Sequence, residues 1–202
     1  MHSAYKFNYV LDRVGVGVKP HPPAYLSLLN PQWSENGRQV LSNVKGLATE
    51  LQENLPEWSA LVLQPNWRYT LIGCSALMLT KDAYLFDALV ARLALGSWVA
   101  PQLAGSLFLK HKVNAIPVLK DMMHEEVQID AHSKCKRVFS AYAALKRMGN
   151  SAAQNFENSN LYRWSESSEL THRAVKAAKV DAITCFECYV NFYGGIIDGS
   201  SI

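Results

Sequence analysis

The chain has 202 residues, of which 49% are hydrophobic and 18% are charged. This length and this apolar fraction are sufficient for one buried core, and they exclude a disordered or low-complexity chain. The 20 basic and 17 acidic residues leave a formal net charge of +3, which falls short of the basic excess that is typical of a dedicated nucleic-acid binder. We therefore expect residues 1–202 to form a single globular domain.

The N-terminal segment does not resemble a secretory signal, because Lys6, Asp12 and Arg13 interrupt its apolar residues. The longest apolar stretches, residues 71–79 and 94–109, are shorter than the roughly 20 residues that a membrane span needs. From these two features we predict a cytoplasmic protein that does not cross a membrane.

Residues 1–20 show an alternating pattern, in which every second residue is apolar over two short runs. These residues are Tyr5, Phe7, Tyr9, Val14, Val16 and Val18. A period of two is typical of a half-buried strand. The pattern predicts a small β-hairpin at the N-terminus.

Residues 22–149 follow the helical period instead, and they are expected to form a mainly α core of short, closely joined helices. The first helix carries an apolar stripe that reaches Leu55, and Pro56 is expected to close it. Asn66 is a good N-cap for the next helix, Gly96 ends the one after it, and Gly149 ends the last helix of this core.

Two further helices are predicted between Gly96 and about residue 125. Ser97 begins the first of these, with Pro101 in its first turn, where a missing N–H costs least. Asn114 is expected to cap the second, and Pro117 again falls early in the helix. Another helix begins near Ser133.

The last fifth of the chain divides into three parts. Residues 150–167 are rich in Ser, Asn and Glu and have little periodicity, which predicts a long loop. Residues 168–193 recover the helical period and should form a C-terminal helix. The remaining residues, 194–202, are expected to be a frayed tail.

An internal similarity appears when Trp67 is placed over Trp98, because Ile72 then meets Leu103 and Ser75 meets Ser106. Each copy corresponds to one pair of helices, over about 66–95 and 97–125, and both tryptophans are expected to pack within or between the copies. Helix pairs of this length cannot bury their apolar faces alone and are stable only when they stack on neighbours. Ser75 and Ser106 are interpreted as small residues that let helices approach closely.

Two segments, NWRYTLIGCSALML at 66–79 and GSWVAPQLAGSLFL at 96–109, resemble bacterial HEAT-like helical modules. The resemblance extends over residues 66–123, and it implies stacked antiparallel helix pairs without any catalytic activity. Proteins of this build recur as scaffolds, as adaptors and as immunity partners of secreted bacterial toxins. The resemblance therefore implies a bacterial protein-binding module.

No pattern of titratable residues indicates an enzyme, a metal or a cofactor. His124, Glu125 and Glu126 lack the spacing of a zinc-binding helix and are interpreted as a solvated helix end. His111, between Lys110 and Lys112, is explained by the favourable interaction of positive charge with the end of a helix.

The four cysteines are interpreted as buried, reduced thiols. Cys185 and Cys188 form one CxxC pair, but the pair lies far inside the predicted C-terminal helix. It therefore lacks the helix N-terminus that lowers a redox thiol's pKa, and no second ligand pair completes a zinc site. We expect no redox or metal role for this pair.

Aromatic and arginine side chains near predicted loops and helix ends are the candidate partner-binding residues, because such residues dominate protein–protein hot spots. The favoured patch lies in the polar 150–167 segment, and two more tryptophans fall near helix ends. The full set is Tyr162, Arg163, Trp164, Trp33 and Trp58. An equally weighted alternative is that each tryptophan covers an end of the helical stack.

These observations predict a non-catalytic protein-binding module, either an adaptor or an immunity protein that neutralises a toxin. The mild positive charge argues against a strongly cationic nuclease as that toxin. The alternative is a helical-repeat nucleic-acid-binding protein or a DNA glycosylase-like enzyme, in which exposed basic residues contact phosphates. The candidates for this second role are Arg68, Lys134, Lys136, Arg137, Lys146, Arg147 and Arg163.

Overall fold

The computed structural model describes residues 7–15, 24–29, 31, 35–81, 84–124 and 132–199. Over these residues the chain is almost entirely helical and contains no strand, so the predicted mainly α class is confirmed. The helices before the long central one are α1 Asn8–Gly15, α2 Glu35–Gln52, α3 Leu55–Val62, α4 Trp67–Met78 and α5 Phe86–Ala94. The remaining helices are α6 Ala100–His124, α7 His132–Arg147, α8 Ser151–Phe156, α9 Asn160–Glu166 and α10 Arg173–Ile197. Short 3₁₀ turns lie at Ala24–Leu28 and Leu170–His172.

The predicted N-terminal hairpin is wrong for the part of residues 1–20 that the structure describes. Residues 8–15 form α1, in which Phe7, Val10 and Val14 are buried while Tyr9 is exposed. The spacing of three and four residues between the buried side chains is helical, and it prevails over the apparent alternation. Residues 1–6 and 16–20 lie outside the described part of the chain.

Pro56 was expected to close a helix, but it lies in the first turn of α3 instead. The side chain of Asn54 caps α3, since its Oδ1 accepts a hydrogen bond from the Glu57 amide at 3.2 Å. Proline is well suited to this position because its missing N–H has no helical partner there. The sequence pattern therefore concealed one short helix, and this helix carries Trp58.

The predicted loop at 150–167 is also wrong, because α8 and α9 fill most of it. Asn150 caps α8 through a 3.0 Å hydrogen bond from the Ala152 amide, and Ser159 caps α9 through a 3.2 Å bond from the Tyr162 amide. The polar residues that suggested a loop are therefore helix caps. Two six- to seven-residue helices are too short to show a clear apolar period.

The C-terminal helix is confirmed, although it starts and ends later than predicted. Helix α10 begins at Arg173, after a 3₁₀ turn, and continues to Ile197, so the first residues of the expected tail are helical. The chain leaves the helix through Gly199, whose φ of +72° is a conformation that favours glycine.

The two helices predicted between Gly96 and residue 125 correspond to the two halves of α6, which are separated by a kink. The backbone leaves helical conformation at Lys112, where φ is 16° and ψ is −95°, and resumes the helix beyond it. The interruption falls two residues before Asn114, the predicted cap. Pro117 lies about one turn after the interruption, where it disturbs few backbone hydrogen bonds.

The centre of the molecule is the first half of α6, in which all eight residues from 100 to 107 are buried. Helix α6 packs on α4, α5, α7 and α10, and the tightest cluster consists of α6, α7 and α10. Residues 69–78 of α4 and 135–145 of α7 are likewise buried on every side. A helix that is buried all round belongs to the interior, so these segments of α4, α6 and α7 form the core that the other helices cover.

Small residues allow the central helices to approach closely. Ser75 and Ser106 are fully buried, which confirms their interpretation as packing residues. A methyl group added at Gly105 would lie 2.7 Å from the Tyr189 ring of α10, so only glycine fits there without a shift. By contrast, Gly46 on the exposed side of α2 has no atom within 4 Å of such a methyl group.

We predict that Gly105→Ala destabilises the protein by about 1–3 kcal/mol, because the aromatic ring of Tyr189 has to move to accept the methyl group. Gly46→Ala is the matched control, and it should stabilise by about 0.5–1 kcal/mol, since alanine loses less backbone entropy in a helix. Urea unfolding followed by circular dichroism measures both. Equal effects of the two substitutions would contradict the close approach of α6 and α10.

Candidate partner-binding surface

Of the two tryptophans predicted near helix ends, the structure describes only Trp58, and Trp58 does not support a surface site. Trp58 is fully buried in α3, and its indole N–H donates a 3.1 Å hydrogen bond to the Gly73 carbonyl. The prediction that Trp58 contacts a partner is therefore wrong, because it belongs to the α3–α4 packing. Trp33 lies outside the described residues.

The predicted patch on α9 is only partly exposed. The Tyr162 ring packs on Tyr142 at 5.5 Å between ring centroids, and the Lys179 ammonium lies 3.7 Å from the Tyr162 centroid. Trp164 stacks on His172 at 5.6 Å and 21° between the ring planes. Of the patch, only the Arg163 side chain is exposed. The contacts favour the alternative interpretation, in which Tyr162 and Trp164 cover an end of the α7–α10 packing.

A cavity of about 340 Å³ opens beside this patch, between α7, α9 and α10. Its charged groups already have partners: Lys146 lies 2.9 Å from the Glu157 carboxylate, and Arg147 lies 3.4 Å from Glu187. Hydrogen bonds from Tyr142 and then from Lys146 lower the pKa of Glu157. The cavity is therefore lined by charges that are neutralised within the chain, and it offers little to a charged ligand.

A more exposed aromatic residue lies at the opposite end of α7. Trp98 is 65% exposed, and Leu95, three residues before it, is 74% exposed. The expectation that Trp98 packs within or between the repeat copies is therefore wrong, whereas Trp67 is half-buried against the core. Gly96 has a φ of +76° and turns the chain sharply between α5 and α6, which leaves Trp98 in the connection rather than on a buried helical face.

The Trp98 ring is exposed to solvent, but one of its sides packs against two side chains of α7. The Lys136 ammonium lies 5.7 Å from its centroid, and the His132 ring lies 5.8 Å away. Lys136 is buried, and its ammonium pairs with Asp181 of α10 at 2.5 Å. Burial raises the pKa of the Asp181 carboxyl, but the hydrogen bond and the positive charge of Lys136 together lower it below its ordinary value. The Lys136–Asp181 ion pair thus connects Trp98 to α10.

A shallow, open groove of about 550 Å³ lies along the outer face of α10; it is lined by residues of that helix, which include Asp181 of this ion pair. Ala177, Val180 and Thr184 form its exposed, mostly apolar floor, and Val180 is 58% exposed. Arg173 and Lys176 are exposed at its N-terminal end, and neither forms an ion pair with another described residue. The Trp98–α10 surface is defined by Leu95, Trp98, Lys136, Arg173, Lys176, Ala177, Val180, Asp181 and Thr184.

A signal for this surface was present in the sequence. The residues of α10 that face the core, such as Val175, Ala182 and Phe186, recur every three to four positions. Val180 lies off that stripe, on the side where polar residues are expected, so its exposure follows from the helical period. The exposure of Trp98 had no such signal, because it depends on how the α5–α6 connection turns.

All four cysteines are free thiols; Cys74 and Cys135 are buried as predicted, whereas Cys185 and Cys188 are only half-buried. Asp181 accepts a hydrogen bond from Cys185 at 3.3 Å, and burial together with this carboxylate raises the pKa of the Cys185 thiol to about 12. Burial likewise raises the pKa of Cys74 to about 12. Both thiols are therefore protonated at neutral pH, and thiolate chemistry is disfavoured.

The structure describes no cluster of three or more histidine, cysteine, aspartate or glutamate side chains that is suited to a metal ion. Among the helices of the described residues, none combines the length and the apolar character that crossing a bilayer requires.

Most basic residues that were considered for phosphate contacts bind other parts of the chain. Lys136 and Arg137 are buried, and an Arg137 amino group donates a hydrogen bond to the Ala94 carbonyl. Arg68 donates a 2.6 Å hydrogen bond to Tyr25, and its guanidinium lies 4.9 Å from the Trp67 centroid. These contacts make the residues unsuited to hold phosphates.

His111 was expected to be a positively charged helix end, but it is buried between the rings of Tyr84 and Phe86, 5.0 and 5.3 Å away. Burial, followed by the charge of Lys110, lowers the pKa of His111 below 6.5. The imidazole is therefore neutral at physiological pH, and its packing in the aromatic site explains its position better than its charge does.

We predict that stability falls as the pH drops below about 6.5, because His111 then binds a proton more readily in the unfolded than in the folded state. His111→Leu removes this proton uptake, so the thermal midpoint of the variant should fall less between pH 7 and pH 5 than that of the unmodified protein. Thermal unfolding at each pH tests this. Parallel pH profiles of the two proteins would contradict a buried neutral His111.

No family model matches this chain, and comparison with curated proteins and with solved structures finds no match either.

Proposed function

We propose that this chain is a non-catalytic protein-binding module built from stacked antiparallel helix pairs, and that its protein partner docks on the Trp98–α10 surface. The observation that carries this proposal is the 65% exposure of Trp98 on a platform of buried Lys136. Tryptophan is among the residues most enriched in interface hot spots. A supported indole also loses little conformational freedom when a partner covers it, so binding costs less entropy.

The packing of the helices supports a scaffold that binds through its outside. The central helices are buried all round, and α4 and α5 both pack on α6 and α3, as stacked HEAT-like helices require. Because residues 66–123 resemble bacterial HEAT-like modules, we further propose that the chain is either an immunity protein, whose partner is a toxin, or an adaptor, whose partner is another protein of the same assembly. A cytoplasmic location and a contribution of exposed Arg163 to binding belong to the same proposal.

The nucleic-acid-binding alternative has less support from the contacts of the basic residues. Lys136, Arg137, Lys146 and Arg147 all have partners within the chain. A phosphate-binding face needs cations that are free to replace counterions along a strand. No contact of the described residues favours this second function over the first.

We predict that Trp98→Ala weakens binding of the natural protein partner by at least about 2 kcal/mol, or roughly thirtyfold in Kd, because the indole is the largest exposed anchor of the surface. The partner is identified by co-purification and mass spectrometry from the source cells, and its Kd is then measured by calorimetry with purified proteins. Tyr9→Ala, which truncates an exposed aromatic residue on α1, is the matched control and should leave the Kd unchanged. Equal affinities of the Trp98→Ala variant and the control would contradict the proposed site.

A further inference from the structure

We propose that the segment of the partner that docks on this surface is an acidic amphipathic helix, which lies along the outer face of α10. This inference rests on the proposed function and adds the chemistry of the partner. Its carboxylates meet Arg173 and Lys176, and its apolar side chains cover Val180 and reach Trp98.

The charge at the N-terminal end of the groove supports an acidic partner. Arg173 and Lys176 are exposed without an ion pair among the described residues, whereas nearby Lys136 and Lys179 pair with Asp181 and Glu166. Glu169, which precedes α10, lies 3.7 Å from His172. The charge of Lys176 also lowers the pKa of Glu166, but that carboxylate is bound by Lys179. Arg173 and Lys176 therefore leave an excess of positive charge where the groove begins.

The helix dipole makes the positions of these two cations more unfavourable. The first turn of α10 contains no acidic residue, yet it begins with Arg173 and continues to Lys176. Cations near a helix N-terminus are unfavourable because the backbone amides already place partial positive charge there. A partner that brings carboxylates to this end relieves both the repulsion and the dipole interaction, so charge complementarity favours an acidic segment.

The shape of the groove supports a helical segment. Arg173, Ala177, Val180 and Thr184 follow one another at spacings of four, three and four residues, which aligns them in one row along α10. Ala177, Val180 and Thr184 are small, so the axis of a second helix can approach closely. The row extends over about 16 Å, or three helical turns, with a cation at one end, which matches a short amphipathic helix that carries carboxylates at one end and apolar side chains beyond them.

The groove is less suited to the other candidate occupants. A second copy of this chain would bring the same two cations, and its Glu187, which lies on the same helix, is already paired with Arg147. A nucleic acid needs cations along the whole groove, but Ala177, Val180 and Thr184, which form its floor, are uncharged.

The test selects peptides from a phage-displayed library of random 16-residue sequences against the 202-residue chain. The enriched peptides are synthesised with a fluorescent label, and their Kd is measured by anisotropy. We expect an excess of Asp and Glu, with apolar residues three and four positions apart. Higher salt should weaken their binding, because the carboxylates contact exposed cations.

Two variants locate the binding, and each has a matched control. Val180→Asp should weaken the selected peptides at least tenfold, whereas Val113→Asp, at an exposed valine of α6, should leave the Kd within twofold. The double charge reversal Arg173→Glu with Lys176→Glu should also weaken them at least tenfold. The same reversal at Arg38 and Lys45, exposed on α2, should leave the Kd within twofold. Circular dichroism confirms that all four proteins are folded.

Several outcomes would overturn the proposal. The absence of enriched peptides, an enrichment without acidic excess, or binding that both groove variants retain would each do so. Binding of a 20-nucleotide single-stranded DNA that Arg173→Glu with Lys176→Glu abolishes would assign the surface to nucleic acid. Dimerisation in analytical ultracentrifugation that Val180→Asp abolishes would assign it to a second copy.

The failure of this inference is distinguishable from failure of the proposed function. A natural partner that Trp98→Ala releases, together with selected peptides that are neutral and insensitive to charge reversal, would leave protein binding in place and exclude the acidic helix. A natural partner that is insensitive to Trp98→Ala would contradict the proposed docking surface, and co-purification that yields no protein partner would contradict protein binding itself.

Discussion

The close contact of α6 with α10 is the constraint on which the rest of the structure depends. Gly105 leaves room for the Tyr189 ring, and every residue from 100 to 107 is enclosed by neighbouring helices. Because α6 also packs on α4, α5 and α7, it joins the two halves of the chain into one hydrophobic core. A core of this kind is filled by side chains, so the proposed docking site lies on the outside of the molecule.

Several buried polar groups in this core form hydrogen bonds that connect neighbouring elements. Ser106 donates a hydrogen bond to the Gln102 carbonyl at 2.8 Å, and its oxygen lies 3.1 Å from the Tyr189 hydroxyl. Burial raises the pKa of Tyr189 well above its ordinary value, so its hydroxyl stays neutral. Buried Arg92 donates hydrogen bonds to the carbonyls of Pro65 and Gly96, each at 3.2 Å, and so connects the end of α5 to the start of α4. Satisfied groups of this kind favour one specific packing of the helices.

Much of the fold could be predicted because its long helices have clear apolar stripes and conventional ends. Asn66 caps α4 and Gly149 ends the segment after α7, as their residue types indicate. Short elements were missed: α1, α8 and α9 are too brief for their period to be distinguished from alternation or from a polar loop. The surface was harder to predict, since the burial of Trp58 and the exposure of Trp98 depend on packing between distant segments. Local sequence does not contain that information.

Amide hydrogen exchange of the free protein tests the central position of α6 most directly. If α6 is enclosed as described, the amides of residues 103–107 exchange only by global unfolding, at the same free energy as the buried parts of α7 and α10. Helix α1, which packs at the edge on α2 and α4, should exchange faster through local opening. Exchange of residues 103–107 as fast as that of α1 would contradict a fold organised around α6.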